Sequence, residues 1–128
     1  MSFKTALRAR IKADPVVTAA GASVEWSRRR EYPSIVLTVV YDPRPRTMTG
    51  RQGWIRTRVY IDVMDQDPAT VEGLREAVLA LIGFGELRDG TRFFPAQDIS
   101  VTDMGEETDA GFIHRDHIDA VIPNRQEN

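Results

Sequence analysis

The run from Trp54 to Gly83, WIRTRVYIDVMDQDPATVEGLREAVLALIG, constrains the fold of this chain more than any other. Ile55, Thr57, Val59, Ile61 and Val63 alternate with Trp54, Arg56, Arg58, Tyr60 and Asp62. A period of two with one apolar face predicts a half-buried strand. Asp67 then offers a carboxylate to the first turn of a helix, and Pro68 stands where a helix needs no backbone donor. Val71, Leu74, Val78 and Leu81 recur at helical spacing, Ala77 and Ile82 widen the stripe, and Gly83 is a natural stop. The apolar face of the strand and the stripe of the helix are expected to meet.

The remaining segments supply partners for that pair. Ser2 is positioned to cap a first helix with Phe3, Leu7 and Ile11 on one edge, and Asp14-Pro15 ends it ahead of a short turn closed by Gly21. Val24 to Trp26 reads as a short strand. Ile35 to Tyr41 is apolar on both faces, which fits a central strand or one covered by another subunit. Phe84 to Pro95 reads as an irregular connection with a turn at Asp89-Gly90, and Phe93 and Phe94 as its anchors. Gln97 to Met104 is expected as a strand with Ile99 and Val101 inward, and Gly105 to Ala110 as an acidic turn. Phe112 to Ile122 is the last long strand; polar residues on both its faces suit an edge or an interface better than a sheet centre. The pattern predicts an α+β domain: an antiparallel β-sheet of four to five strands with two main helices packed on one face.

At 128 residues, residues 1–128 are expected to form a single domain. There is no cysteine, and hence no disulfide framework or thiolate chemistry. No apolar run approaches the ~20 residues of a membrane span, so a soluble intracellular origin is the expectation. Net charge is −2, but its distribution is uneven. Between Arg28 and Arg58 eight arginines stand against Glu31 and Asp42; between Asp98 and Asn128 eight acids stand against Arg115 and Arg125. The two segments either neutralise each other inside one sheet or form complementary surfaces on neighbouring copies. Asp42 to Gly53, DPRPRTMTGRQG, joins two strands with prolines, glycines and three arginines. It reads either as a disordered tip or as an arm that orders on a partner.

Chemistry has one candidate, H-R-D-H-I-D at residues 114–119. On a strand His114 and Asp116 share one face and His117 and Asp119 the other, so neither face holds the three ligands of a catalytic metal site. A nucleophile elbow and a glycine-rich phosphate loop are both missing from the sequence. We therefore assign no catalytic residue, no metal, no cofactor and no small-molecule substrate.

The segments ALRARIKADPVVTAAG, YPSIVLTVV, WIRTRVYIDVMDQDPATVEGLREAVLALI and MGEETDAGFIHRDHIDAVI together resemble the small tail-completion or tail-terminator proteins of long-tailed phages, prophages and gene transfer agents. The resemblance covers nearly the whole chain. It departs in the proline- and arginine-rich 42–53 segment, where many relatives carry a shorter turn, and in the polarity of the last strand. It implies a non-enzymatic virion protein of the head–tail interface, assembled in the bacterial host cytoplasm. Such a protein forms a ring, commonly a hexamer, that caps the tail tube and meets the head–tail connector, with DNA passing non-specifically through the lumen. On this reading Arg44, Arg46, Met48 and Arg51 contact the tail tube or connector. Trp54, Arg56, Arg58, Phe112, His114 and Asp116 form the subunit interface. A head-closure or adaptor subunit is the nearest alternative, and a small DNA-binding regulator a more distant one.

Overall fold

In a computed structural model, which describes residues 2–29, 31–41, 54–109 and 111–127, the strand and helix of the central run form as their periodicity dictates. The strand, β3, spans Trp54–Asp65 and the helix, α3, Pro68–Ile82. The Asp67 side chain accepts from Ala69 N at 3.1 Å and so caps the helix. Before them lie α1 (Phe3–Lys12), α2 (Pro15–Ala20), β1 (Ser23–Trp26) and β2 (Ser34–Tyr41). After them come β4 (Glu86–Arg88), β5 (Thr91–Phe93), β6 (Gln97–Asp103), β7 (Glu106–Thr108) and β8 (Gly111–Gln126). The Ser2 cap falls where expected, its Oγ accepting from Thr5 N, while the short turn expected after Asp14-Pro15 is the helix α2, which Asp14 caps by accepting from Val16 N and Val17 N.

The chain is α+β, but its sheet is larger than the four to five strands expected from the sequence. Among the described residues eight strands join in the order β1-β2-β3-β8-β5-β4, with β6 and β7 also paired to β8. Nor is it wholly antiparallel, because β1 runs parallel to β2. Two further expectations are corrected. The 84–95 connection is not irregular: β4 and β5 form a hairpin around Asp89-Gly90, with Gly90 at φ +81°. The acidic turn contains a strand of its own, β7, paired to Ile113, Phe112 and Gly111.

The largest correction concerns β8. Polar residues on both faces pointed to an edge, yet β8 is internal. On one side it pairs with β3 over twelve positions, from Trp54↔Arg125 to Asp65↔His114. On the other it is shared along its length by β7, β6 and β5. Its backbone donors and acceptors are therefore used within one chain over most of its length. The free outer edges among the described strands belong to shorter elements, β6 chief among them.

A single buried cluster fills the space between sheet and helices. Leu7 and Ile11 of α1, Val17 of α2, and Val71, Leu74, Val78 and Ile82 of α3 meet Ile35, Leu37, Val59, Ile61, Val63, Ile118, Ala120 and Ile122. Each fully buried aliphatic side chain contributes roughly 1.5–3 kcal/mol. The pairings Val59↔Ala120 and Ile61↔Ile118 place these residues on one side of the sheet, called here the core side.

One charged residue belongs to this core. Arg10 is 1% exposed. Its Nε donates to Glu86 Oε1 at 2.9 Å, and its Nη2 donates to the carbonyls of Leu81 and Phe84, each at 2.7 Å. Its guanidinium carbon lies 5.0 Å from the Phe93 ring centroid. Burial pushes the Arg10 pKa down, while the bond to Glu86 and its charge oppose that shift. Arg10 thus ties α1 to the end of α3 and to the β4–β5 hairpin. Arg10→Ala leaves the Leu81 and Phe84 carbonyls without this donor and Glu86 with Arg88 alone, and we expect it to cost about 3 kcal/mol. A urea titration followed by tryptophan fluorescence checks this; an unchanged midpoint would show that the tie is dispensable.

Candidate functional site

The side of the sheet facing away from the core carries a connected row of polar groups. It arises because β3 and β8 alternate and their register sets Tyr60 opposite Asp119, Asp62 opposite His117 and Met64 opposite Arg115. Asp62 is 6% exposed. Its Oδ1 accepts from Arg115 Nε at 3.0 Å and lies 2.7 Å from His117 Nδ1. The Tyr60 and His117 rings meet edge-on with centroids 4.4 Å apart. One step along, Arg58 forks onto Asp119, with Nε to Oδ1 at 3.0 Å and Nη2 to Oδ2 at 2.6 Å. Arg56 Nη2 donates to Gln97 Oε1 at 2.7 Å and lies 3.7 Å from Asp98.

These contacts resolve part of the charge asymmetry seen in the sequence. Arg56 and Arg58 from the basic segment meet Asp98 and Asp119 from the acidic one, inside one sheet. On the core side, Asp116 is claimed by α3: Arg75 Nη1 donates to its Oδ2 at 2.9 Å. His114 and His117 lie on opposite sides, as strand alternation requires. Among the described residues no three His, Asp or Glu side chains converge where they could hold a metal ion.

Two apolar surfaces flank the polar row. At the end of β8 where it pairs with the start of β3, Trp54, Phe94, Pro95, Ala96, Gln97, Pro123 and Arg125 line an open cavity of about 530 Å3. Trp54 is 48% exposed, and its ring packs edge-on against Phe94 with centroids 6.4 Å apart. From there β6 runs toward the other end of β8, where it forms a wing with β7 and the start of β8. Along β6 and the wing, Ile99, Val101, Met104 and Phe112 are 42–44% exposed. Ile99 and Val101 were expected to point into the core. The pairing Val101↔Ile118 does put Val101 on the core side, but every residue of β6 is exposed.

The residues assigned to a subunit interface therefore do not form one patch. Trp54, Arg56 and Arg58 lie on the side away from the core, near the cavity. Phe112, His114 and Asp116 lie on the core side at the far end of β8, where the Phe112 and His114 rings meet with centroids 4.8 Å apart. Arg44, Arg46, Met48 and Arg51 lie outside the described residues. Sequence reasoning did not find the cavity partners Phe94 and Pro123, because neither shares a local pattern with Trp54. The isolated Trp54 at a strand start was the one available signal.

Neither a protein-family model nor a curated protein matches the chain. Among solved structures, its fold is similar to that of a chain in the virion of a native gene transfer agent particle. The TM-score is 0.57 at 16% sequence identity, over 99% of this chain and 96% of the other. The likeness thus extends over the whole fold and carries little sequence with it.

The Arg58–Asp119 fork makes a pH prediction. The hydrogen bond from Arg58, then its charge, hold the Asp119 carboxyl below its ordinary value. A depressed folded-state pKa contributes stability that is present above the unfolded value, about 3.9, and is lost as pH falls through the folded value. Wild-type protein should therefore lose more stability than Asp119→Asn as the buffer is acidified from about pH 5 towards pH 3. Urea midpoints across that range test this, and parallel profiles would contradict it.

Proposed function

We propose that this chain is a structural, non-catalytic virion protein of the head–tail interface: a tail terminator whose copies form a ring, on the expected pattern a hexamer, at the end of the tail tube. The observation that carries the reading is the whole-length fold similarity to a chain of a gene transfer agent virion. The exposed apolar surfaces at Trp54 and Phe112 support it, since an assembly subunit must leave surface for its neighbours. Its partners on this reading are further copies of itself, the tail tube protein and the head–tail connector. DNA passes through the lumen and is met without sequence preference.

Disrupting the gene in its own producing cells should give filled heads and tails that do not join, with tails of uncontrolled length in electron micrographs. Complementation with the wild-type gene should restore joined particles. Unjoined tails of normal length would favour the head-closure or adaptor alternative. Normal, transferring particles would overturn both.

A further inference from the structure

We propose that the β6–β7–β8 wing of one copy of this chain seats in the Trp54 cavity of a second copy, head to tail. The inference rests on the assembly role proposed above and specifies which surfaces join. Both surfaces are apolar at the centre: Phe112, Met104 and Val101 on the wing, Trp54, Phe94 and Pro123 in the cavity. Their rims differ in charge. On the wing, Asp103, Glu106, Glu107 and Asp109 have no cationic partner among the described residues. Near the cavity, Arg92 and Arg125 share the single carboxylate of Glu127. Arg56, half exposed, has only a 3.7 Å ion pair to Asp98. The cavity rim thus carries more guanidinium than carboxylate, whereas on the wing Arg115 is paired with Asp62 and the unpaired charges among the described residues are carboxylates.

Geometry makes the contact intermolecular. Phe112 and Arg125 lie at opposite ends of β8, separated by roughly 40 Å of extended chain, and Trp54 pairs with Arg125. The two surfaces also face opposite sides of the sheet. The Phe112 end of the wing cannot reach the cavity of its own copy, and wing against wing would set carboxylates against carboxylates. A contact between unlike patches is heterologous, and repeated with a rotation that closes it makes a ring. The wing is also shaped in advance. A Cβ at Gly105 would lie 2.7 Å from Phe112 Cε2, so the missing side chain is what lets the Phe112 ring lie where it does.

The native chain has no cysteine, which permits a direct test. Trp54→Cys and Phe112→Cys proteins are purified separately, mixed at high concentration and oxidised with copper phenanthroline. A mixed disulfide dimer is expected in the mixture, with only background in either protein alone. Arg56→Cys with Glu107→Cys gives an independent pair at the rims, away from the apolar centres. Gly105→Ala, which displaces the Phe112 ring, should reduce the mixed dimer while leaving the monomer folded by circular dichroism. Self-crosslinking of Trp54→Cys alone, or no mixed dimer from either pair, overturns the contact. The joining phenotype of the gene disruption is scored separately with wild-type protein. If that phenotype appears without crosslinking, the head-to-tail contact fails and the assembly role stands; if it does not appear, the role itself fails.

Discussion

The structure depends on the ladder between β3 and β8. Twelve consecutive residue pairs fix one register, and a slip of one position would turn the apolar sets of both strands to the wrong side. With that register in place, Val59, Ile61 and Val63 meet Ile118 and Ala120 under α3. The same register brings Asp62 to His117 and Arg58 within reach of Asp119 on the far side. Core and polar row are two consequences of one pairing. The length of β8 then decides the rest of the sheet. Sixteen residues are more than any one neighbour on its second side covers, so β7, β6 and β5 divide that side among them.

The electrostatics follow from the pairing rather than from composition. Exposed ion pairs such as Arg56–Asp98 contribute at most about 1 kcal/mol each. Asp62 differs because it is buried: a carboxylate removed from water is tolerable only with donors at hand, and Arg115 and His117 supply them. Arg10 is the cationic counterpart inside the core. It crosses from the first helix to elements more than seventy residues later, so the N-terminal helix is fastened by a bond to Glu86 as well as by Leu7 and Ile11.

The sheet extends beyond its helices. Over β3 and the middle of β8, α3 covers the apolar face. Over β6 there is no such cover, and Ile99 and Val101 remain exposed although their strand pairs normally from Ser100 onward. The Trp54 cavity is a second place where apolar surface meets solvent. These two surfaces give the proposed assembly role its physical content, since apolar area left in water by one chain is area another can bury.

Local pattern alone was enough for β3, α3, the caps at Ser2 and Asp67, and the α+β class, because alternation, helical spacing and capping chemistry act over a few residues. The same reasoning named Phe93 as an anchor, and it is buried. It missed the hairpin at 86–93, where each strand is only three residues long and leaves no readable period. It misjudged β6 and β8 for a different reason. Alternation tells which residues share a side, but not whether a helix lies above that side or how many strands lie alongside. His114 and Asp116 stand on the core side of an internal strand, yet at an end where Arg75 meets Asp116 and the Phe112 ring meets His114. Ile99 and Val101 have the residue types of an interior strand and lie where nothing covers them. Which polar residues pair, and which apolar ones stay in water, was decided by contacts between segments far apart in the chain. Those contacts depend on the β3–β8 register and on the reach of α3, and neither is written in any short stretch of residues.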